Sequence, residues 1–301
     1  MSHDHNHHTT NYNRAFAVGV LLNSIFVAIE AGYGVAAGSL ALIADAGHNL
    51  SDVLSLLLAW GASWLATKPA TGKRTYGFRK VTIMASLTNA IVLLFALGGI
   101  TWEAIGRIFE PRPVEAMTVI VVAAIGVAIN SITAWLFFSG QKKDLNVKGA
   151  YLHMVADAGV SLGVVLAGVV IMLTGWQMID PLISILIVVV ILVGTWSLLR
   201  DSMNLALDSV PKDVDIEGIK TYLTGLENVC QIHDLHVWAM STTETALTVH
   251  LITTDSVLST DFLSKIEQHL HDYFDIEHST IQIEKQNAES CMLNKGICKN
   301  G

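Results

Sequence analysis

Between residues 15 and 200 the chain alternates long apolar runs with short polar breaks. The runs are roughly 15–37, 40–65, 82–107, 116–138, 148–174 and 179–200. Each is near or above the ~20 residues with which a helix crosses the hydrocarbon core of a bilayer. The breaks carry turn-forming or charged residues: Gly38-Ser39, Lys68 to Lys80, Pro111 to Pro113, Gln141 to Asp144, and Trp176 to Pro181. Six transmembrane helices are predicted. From about residue 208 the pattern changes to that of a soluble domain. Val214, Ile219, Tyr222, Leu223 and Leu226 recur at helical spacing, and Phe262, Ile266, Leu270 and Tyr273 predict a second helix. Ile232–Met240 and Ala246–Thr253 alternate like strands, and Thr280–Glu284 adds a third. The order α-β-β-α-β describes a small open sheet covered by helices.

The expected fold class is therefore an α-helical membrane protein: six transmembrane helices followed by a small α+β domain. Expected segments are a His-rich tail over 1–13, the membrane domain over 14–207, the soluble domain over 208–286 and a flexible tail over 287–301. Lys and Arg set the orientation. The second-to-third connection holds Lys68, Lys73, Arg74, Arg79 and Lys80, and the fourth-to-fifth holds Lys142, Lys143 and Lys148. The opposite side offers Arg107 and Arg112 beside Glu110 and Glu115. Basic loops stay in the cytoplasm, so both termini and the small domain belong there.

Composition agrees. The 301 residues are 52% hydrophobic and 15% charged, against about a quarter charged in a soluble domain. The net charge of −8 comes mostly from the C-terminal third, so no basic face offers itself to nucleic acid. Three cysteines, Cys230, Cys291 and Cys298, do not make a disulfide framework. The first apolar run lacks the basic start and small-residue cleavage site of a signal peptide.

Two segments inside the apolar runs carry chemistry. The second run contains His48-Asn-Leu-Ser-Asp52 and the fifth His153-Met-Val-Ala-Asp157. Residues four apart share a helix face, so each segment sets an imidazole beside a carboxylate. Two such pairs facing each other make a tetrahedral site of two nitrogens and two oxygens, which suits zinc. A lone histidine in an apolar helix is usually a satisfied core residue. Four ionisable groups in two identical patterns at membrane depth are costly enough to mark function. Depth matches only in part, because His153 and Asp157 lie about one turn to the cytoplasmic side of their helix centre. Aligning Ala44-Asp45-Ala46-Gly47 with Ala156-Asp157-Ala158-Gly159 gives Asp45 as a rival ligand. Asp45 is about 10 Å along the axis from Asp52, which places it beside the ion or on its entry path. Asn23, Glu30 and Asn130 either line that path or bond between helices.

These residues resemble the cation diffusion facilitator family, in its branch of bacterial zinc and cadmium exporters and animal zinc transporters. The similarity covers about 14–285. It is most specific in Ser39-Leu-Ala-Leu-Ile-Ala-Asp-Ala-Gly-His48, the paired His-x-x-x-Asp motifs, Lys148-Gly-Ala-Tyr-Leu-His153 and Ile232-His-Asp-Leu-His-Val-Trp238. The resemblance implies a homodimer in a lipid membrane, six helices per protomer, a metallochaperone-like cytoplasmic domain and exchange of zinc for protons. It implies that the positions of His48, Asp52, His153 and Asp157 hold the transported ion. It also implies a cytoplasmic zinc site, structural or regulatory, at His233, His250 and Glu284. Strand alternation disagrees about His233. If Ser241–Thr243 turns a hairpin, Asp234 pairs near His250 with His236 diagonal to it, and His233 falls on the opposite face. Family members with a further site on the second-to-third loop use a histidine that Tyr76-Gly-Phe-Arg-Lys80 lacks. The same comparison places Lys80 near Asp208.

Peripheral candidates are weaker. Met1-Ser-His-Asp-His-Asn-His-His8 reads as metal capture at the cytoplasmic mouth or as an inert tail. His269, His271 and His278 are expected on a wet surface. Cys291 and Cys298 are spaced more widely than the C-x2–4-C of zinc sites. Vacant, the membrane site would hold two carboxylates in a poorly solvating place, which either a zinc ion or protons relieve. Imidazole must be neutral to bind metal, so the two compete near neutral pH. Such a site, opening alternately to each side, is an antiporter. Cadmium, cobalt or nickel as the main cargo stays open. A membrane zinc enzyme keeps an open coordination position and a general base, and no His-Glu-x-x-His is present. A non-transporting metal sensor is the other rival.

Overall fold

The computed structural model describes residues 12–138, 145–227, 229–253 and 260–285. Six long helices come first: α1 (Tyr12–Ala37), α2 (Leu40–Ala66), α3 (Val81–Phe109), α4 (Ala116–Phe138), α5 (Leu145–Thr174) and α6 (Ile179–Ala206). Then follow α7 (Ile216–Thr224), β1 (Val229–Ala239), β2 (Thr245–Thr253), α8 (Thr260–Phe274) and β3 (Ile276–Lys285). The His tract of 1–8 and the segment with Cys291 and Cys298 lie outside the described residues. Among those described, Val81–Phe109, Ala116–Leu136, Tyr151–Thr174 and Ile179–Ala206 are long and apolar enough to cross a membrane.

The chain divides into two compact units. The first holds the described parts of Met1–Ala59 and Thr88–Leu199. Its core joins Phe26, Leu42, Val119, Val164, Ile171 and Val188. Two glycines let neighbours approach closely: a Cβ on Gly168 would meet Ile120 at 2.8 Å, and one on Gly126 would meet Phe26 at 2.8 Å. Outward faces stay apolar, with Phe95, Trp102, Phe109, Trp135, Leu173 and Val193 exposed. Such a belt is an error in water and ordinary against lipid. The α1–α2 turn uses Gly38 at φ 68°, the left-handed conformation that favours glycine after a helix end. The start of α2 is then capped from α6. Asp180 accepts from the Leu40 N–H at 2.8 Å and the Ala41 N–H at 3.2 Å, and Arg107 donates to the Gly38 carbonyl. A buried carboxylate at a helix N-terminus satisfies orphan donors and the helix dipole together.

The second unit joins Trp60–Leu87 to the described parts of Arg200–Gly301. The pair expected from sequence forms, Lys80 Nζ to Asp208 Oδ1 at 2.6 Å, with Arg79–Glu244 at 3.3 Å and Thr242 N–H donating to Thr82 Oγ1 at 3.0 Å. The sheet has the order β1-β2-β3, antiparallel then parallel. Leu247, Val249 and Leu251 alternate into a core with Ile219, Leu223, Ile266 and Leu270 from α7 and α8. Asp215 caps α7 by accepting from the Gly218 N–H at 2.9 Å. His271 and His278 are exposed as expected, His278 with its ring edge-on to Tyr76 at 5.8 Å, whereas His269 is half-buried and stacks on Tyr222 at 3.8 Å.

One strand expectation fails. His233 pairs directly with His250, whereas further along His236 pairs with Thr248. Two residues, Asp234 and Leu235, therefore oppose one on β2, a β-bulge with Asp234 at φ 52°. A bulge shifts the register by one and moves every side chain beyond it to the other face. His233 thus joins His250 instead of opposing it.

Candidate metal centre

Helical spacing fixes the first cluster. On α2, His48 and Asp52 lie one turn apart, as do His153 and Asp157 on α5. The two helices present these pairs to each other crosswise. His48 Nε2 lies 3.2 Å from Asp157 Oδ1, and His153 Nε2 lies 3.1 Å from Asp52 Oδ2. A third approach, His153 Nε2 to Asp157 Oδ2 at 3.6 Å, closes the set. The imidazole centroids are 6.0 Å apart. Ligand atoms of His48, Asp52 and Asp157 all lie within 4.8 Å of one another. The helix α5 begins at Leu145, three residues before the apolar run.

The donor set has a chemical preference. Each Nε2 faces a carboxylate oxygen, so either a proton or a cation between them satisfies both. Asp157 is 1% exposed and its Oδ2 has no hydrogen-bond partner, an expensive state for a buried carboxylate oxygen unless a cation takes the place. Two imidazole nitrogens and two carboxylates match tetrahedral zinc. Asp157 forms a sealed wall, while the His48, Asp52 and His153 side chains are part-exposed, so an ion can reach the cluster.

Neighbouring polar groups divide cleanly. Asp45 is fully buried and accepts from Ser161 Oγ at 2.8 Å, outside the ligand set. Asn49 donates to Glu30 at 3.2 Å, and Asn23 to the Met154 sulfur at 3.6 Å. Asn130 is buried, with neither side-chain polar atom partnered.

The bulge builds the second cluster. His233 Nε2 lies 3.2 Å from Glu284 Oε2, and His250 Nδ1 lies 2.9 Å from Glu284 Oε1. The imidazole centroids are 4.9 Å apart, and three ligand atoms fall within 4.8 Å. Burial pushes the Glu284 carboxyl up, but hydrogen bonding and charge from His233, with help from His250 and Gln282, hold it below the usual carboxylate range. Asp234, which the sequence reading did not place in the site, reaches His250 Nε2 at 3.6 Å and takes 2.9 Å contact from His236. A signal existed: an aspartate interrupts the alternation of Ile232 to Trp238, and Asp tolerates positive φ better than most residues. Two imidazoles and a carboxylate from three strands fit a resident zinc ion.

Comparison with known proteins meets this geometry from outside. Residues 16–205 match the family model for the cation efflux transmembrane domain, and 211–286 match that for the cytoplasmic domain of cation efflux proteins. The metal cation efflux system protein CzcD of Cupriavidus metallidurans is 38% identical over 94% of this chain and 89% of its own. Zinc transporter ZitB of Escherichia coli is 36% identical over 99% and 97%. The cadmium, cobalt and zinc/H(+)-K(+) antiporter of Bacillus subtilis is 34% identical over 94% and 92%. A helical transmembrane domain precedes a cytoplasmic domain built on a small sheet, and the protein is a multi-pass transporter with no enzymatic reaction to explain. The chain belongs to the cation efflux family, the cation diffusion facilitators.

Proposed function

We propose that this chain exports zinc from the cytoplasm in exchange for external protons, using His48, Asp52, His153 and Asp157 as the cargo site. The observation that carries this is the crosswise pairing of the two His-x-x-x-Asp motifs. Without metal, two carboxylates and two imidazoles in one cluster are relieved by protons. Zinc needs both imidazoles neutral, so loading expels protons and protonation expels zinc. Seats that are filled by one or the other, exposed alternately to each side, exchange the two. The relatives' names, zinc transporter and cadmium, cobalt and zinc/H(+)-K(+) antiporter, agree with that cargo and include the proton as a counter-ion.

The finer architecture is part of the same reading. All six long helices, α1 and α2 included, span the bilayer. Both termini face the cytoplasm, the host bilayer is a bacterial inner or plasma membrane, and the chain works as a homodimer. The working divisions are 1–13, 14–207, 208–286 and 287–301. His233, His250 and Glu284 would hold a resident zinc ion, which supplies a cross-link between β1, β2 and β3. Cadmium and cobalt are secondary cargo, the reading favoured by the broader name of the Bacillus subtilis relative. Zinc flux into proteoliposomes with an imposed pH gradient tests the proposal. Wild type accumulates zinc, and Asp52→Ala or Asp157→Ala, present at equal protein level, does not. Wild-type flux in either variant would remove the cargo-site assignment.

A further inference from the structure

Beside the cargo site lies a pair of acids that the exchange as described does not use. Glu30 on α1 and Asp45 on α2 are both fully buried. Each has one oxygen satisfied by the protein: Glu30 Oε2 accepts from Asn49, and Asp45 Oδ2 accepts from Ser161. Each has one oxygen, Glu30 Oε1 and Asp45 Oδ1, that no donor reaches. The two carboxyls are neighbours, because Asn49, which donates to Glu30, lies one helical turn from Asp45 on the same face of α2. Two carboxylates are acceptors only and cannot bond unless one carries a proton. A single proton between Oε1 and Oδ1 satisfies both orphans at once and cancels one of two buried charges. Among the described residues no Lys or Arg forms an ion pair with either acid to do this instead. The titratable groups that face the pair are His48 from α2 and Asp157 from α5, and α4 carries none.

We propose that Glu30 and Asp45 form a proton seat separate from the metal ligands, which gives up its proton when zinc enters the cargo site and regains it when zinc leaves. The coupling is electrostatic. Asp45 lies one helical turn from His48, and its partner Ser161 lies one turn from Asp157 on α5. A divalent ion held by those residues reverses the local preference: the pair is then better off as a dianion, and the shared proton passes to water. Counter-transport then draws on this seat as well as on the histidine ligands. This rests on the cargo-site reading above.

Glu30→Gln tests it, because the amide keeps the shape, can still meet Asn49, and offers Asp45 a hydrogen that cannot be lost. Purified full-length protein is titrated with zinc in weak buffer, and the protons released per zinc are counted with a pH indicator. The variant is expected to bind zinc but to release about one proton fewer than wild type, since its seat no longer ionises. Protons displaced at the cytoplasmic site are common to both chains and cancel. Equal release from both chains, with zinc bound in each, overturns the proposal. If the variant does not fold, infrared difference spectra of wild type carrying isotope-labelled glutamate decide the matter. A protonated-glutamate carbonyl band must be present without metal and disappear with zinc, and its absence without metal, or its persistence with zinc, overturns the seat. Failure of the cargo reading looks different: zinc binding to the membrane domain then survives Asp157→Ala, while the metal-free band still reports the acid pair.

Discussion

Asp157→Asn separates what the cargo site costs the fold from what it does. The side chain is 1% exposed, meets His48 at 3.2 Å and His153 at 3.6 Å, and leaves Oδ2 without a hydrogen bond. In the metal-free protein its charge adds to that of Asp52 within the same cluster, so the amide relieves repulsion. Metal-free stability is therefore expected to hold or rise, the sign typical of a residue kept for function. Zinc binding moves the other way. Loss of an outer-shell partner typically costs 10–100-fold in metal affinity, so loss of a direct carboxylate ligand should cost at least about 100-fold. Zinc at about 100 times the wild-type dissociation constant stabilises the folded state by about 2.7 kcal/mol, and the same concentration gives the variant about 0.4 kcal/mol or less. Over a chain of this size the lost increment of about 2.3 kcal/mol corresponds to roughly 4 °C in Tm. The assay is thermal unfolding in detergent with and without zinc, in a His250→Ala background that silences the cytoplasmic site. A variant that keeps the wild-type zinc shift, or that collapses without metal, would refute the reasoning.

Three further outcomes follow from separate parts of the molecule. His48→Asp exchanges a nitrogen for an oxygen ligand and should widen cargo toward manganese and cadmium more than it slows zinc, read as flux ratios in vesicles; an unchanged profile would show that His48 does not set the choice. Glu284→Gln should make the metal-free cytoplasmic domain less sensitive to acid. The Glu284 carboxyl is depressed in the fold, so its stabilising contribution is present above the ordinary glutamate value and disappears as pH falls below it through the depressed one. Circular dichroism along an acid titration of the full chain reads this, and identical curves contradict it. Leu251→Ala, at a fully buried position under α7 and α8, should destabilise the sheet domain by about 2–5 kcal/mol, measured by urea unfolding, while substitution at the exposed Tyr273 should not.

The helices were legible because membrane insertion leaves a long, one-sided signal: uninterrupted apolar residues bounded by Gly, Pro and Lys. Their ends were less so. α5 starts three residues before its apolar run and α6 continues six residues past it to Ala206, since a helix does not stop where hydrophobicity does. The meeting of the two His-x-x-x-Asp pairs was legible because a spacing of four on a helix admits one geometry. His233 was not, because a strand's facing depends on register, and one inserted residue at Asp234 reverses it. Likewise, the cap that Asp180 places on α2 joins residues 140 apart, and no local pattern announces it. Glu30 and Asp45 stood out as charges at membrane depth, yet only the folded chain shows that one oxygen of each is buried without a donor.

The most direct test of zinc–proton exchange at the four-ligand site varies pH on each side independently. Protein reconstituted in one orientation, with voltage clamped, should export zinc faster when the external face is acidic, because protons displace the metal there. Acidifying the cytoplasmic face should slow export, because protons then compete with loading. Both effects should vanish in Asp157→Ala. Equal rates under opposite gradients, with zinc still moving, would contradict exchange and leave a uniporter or channel in its place.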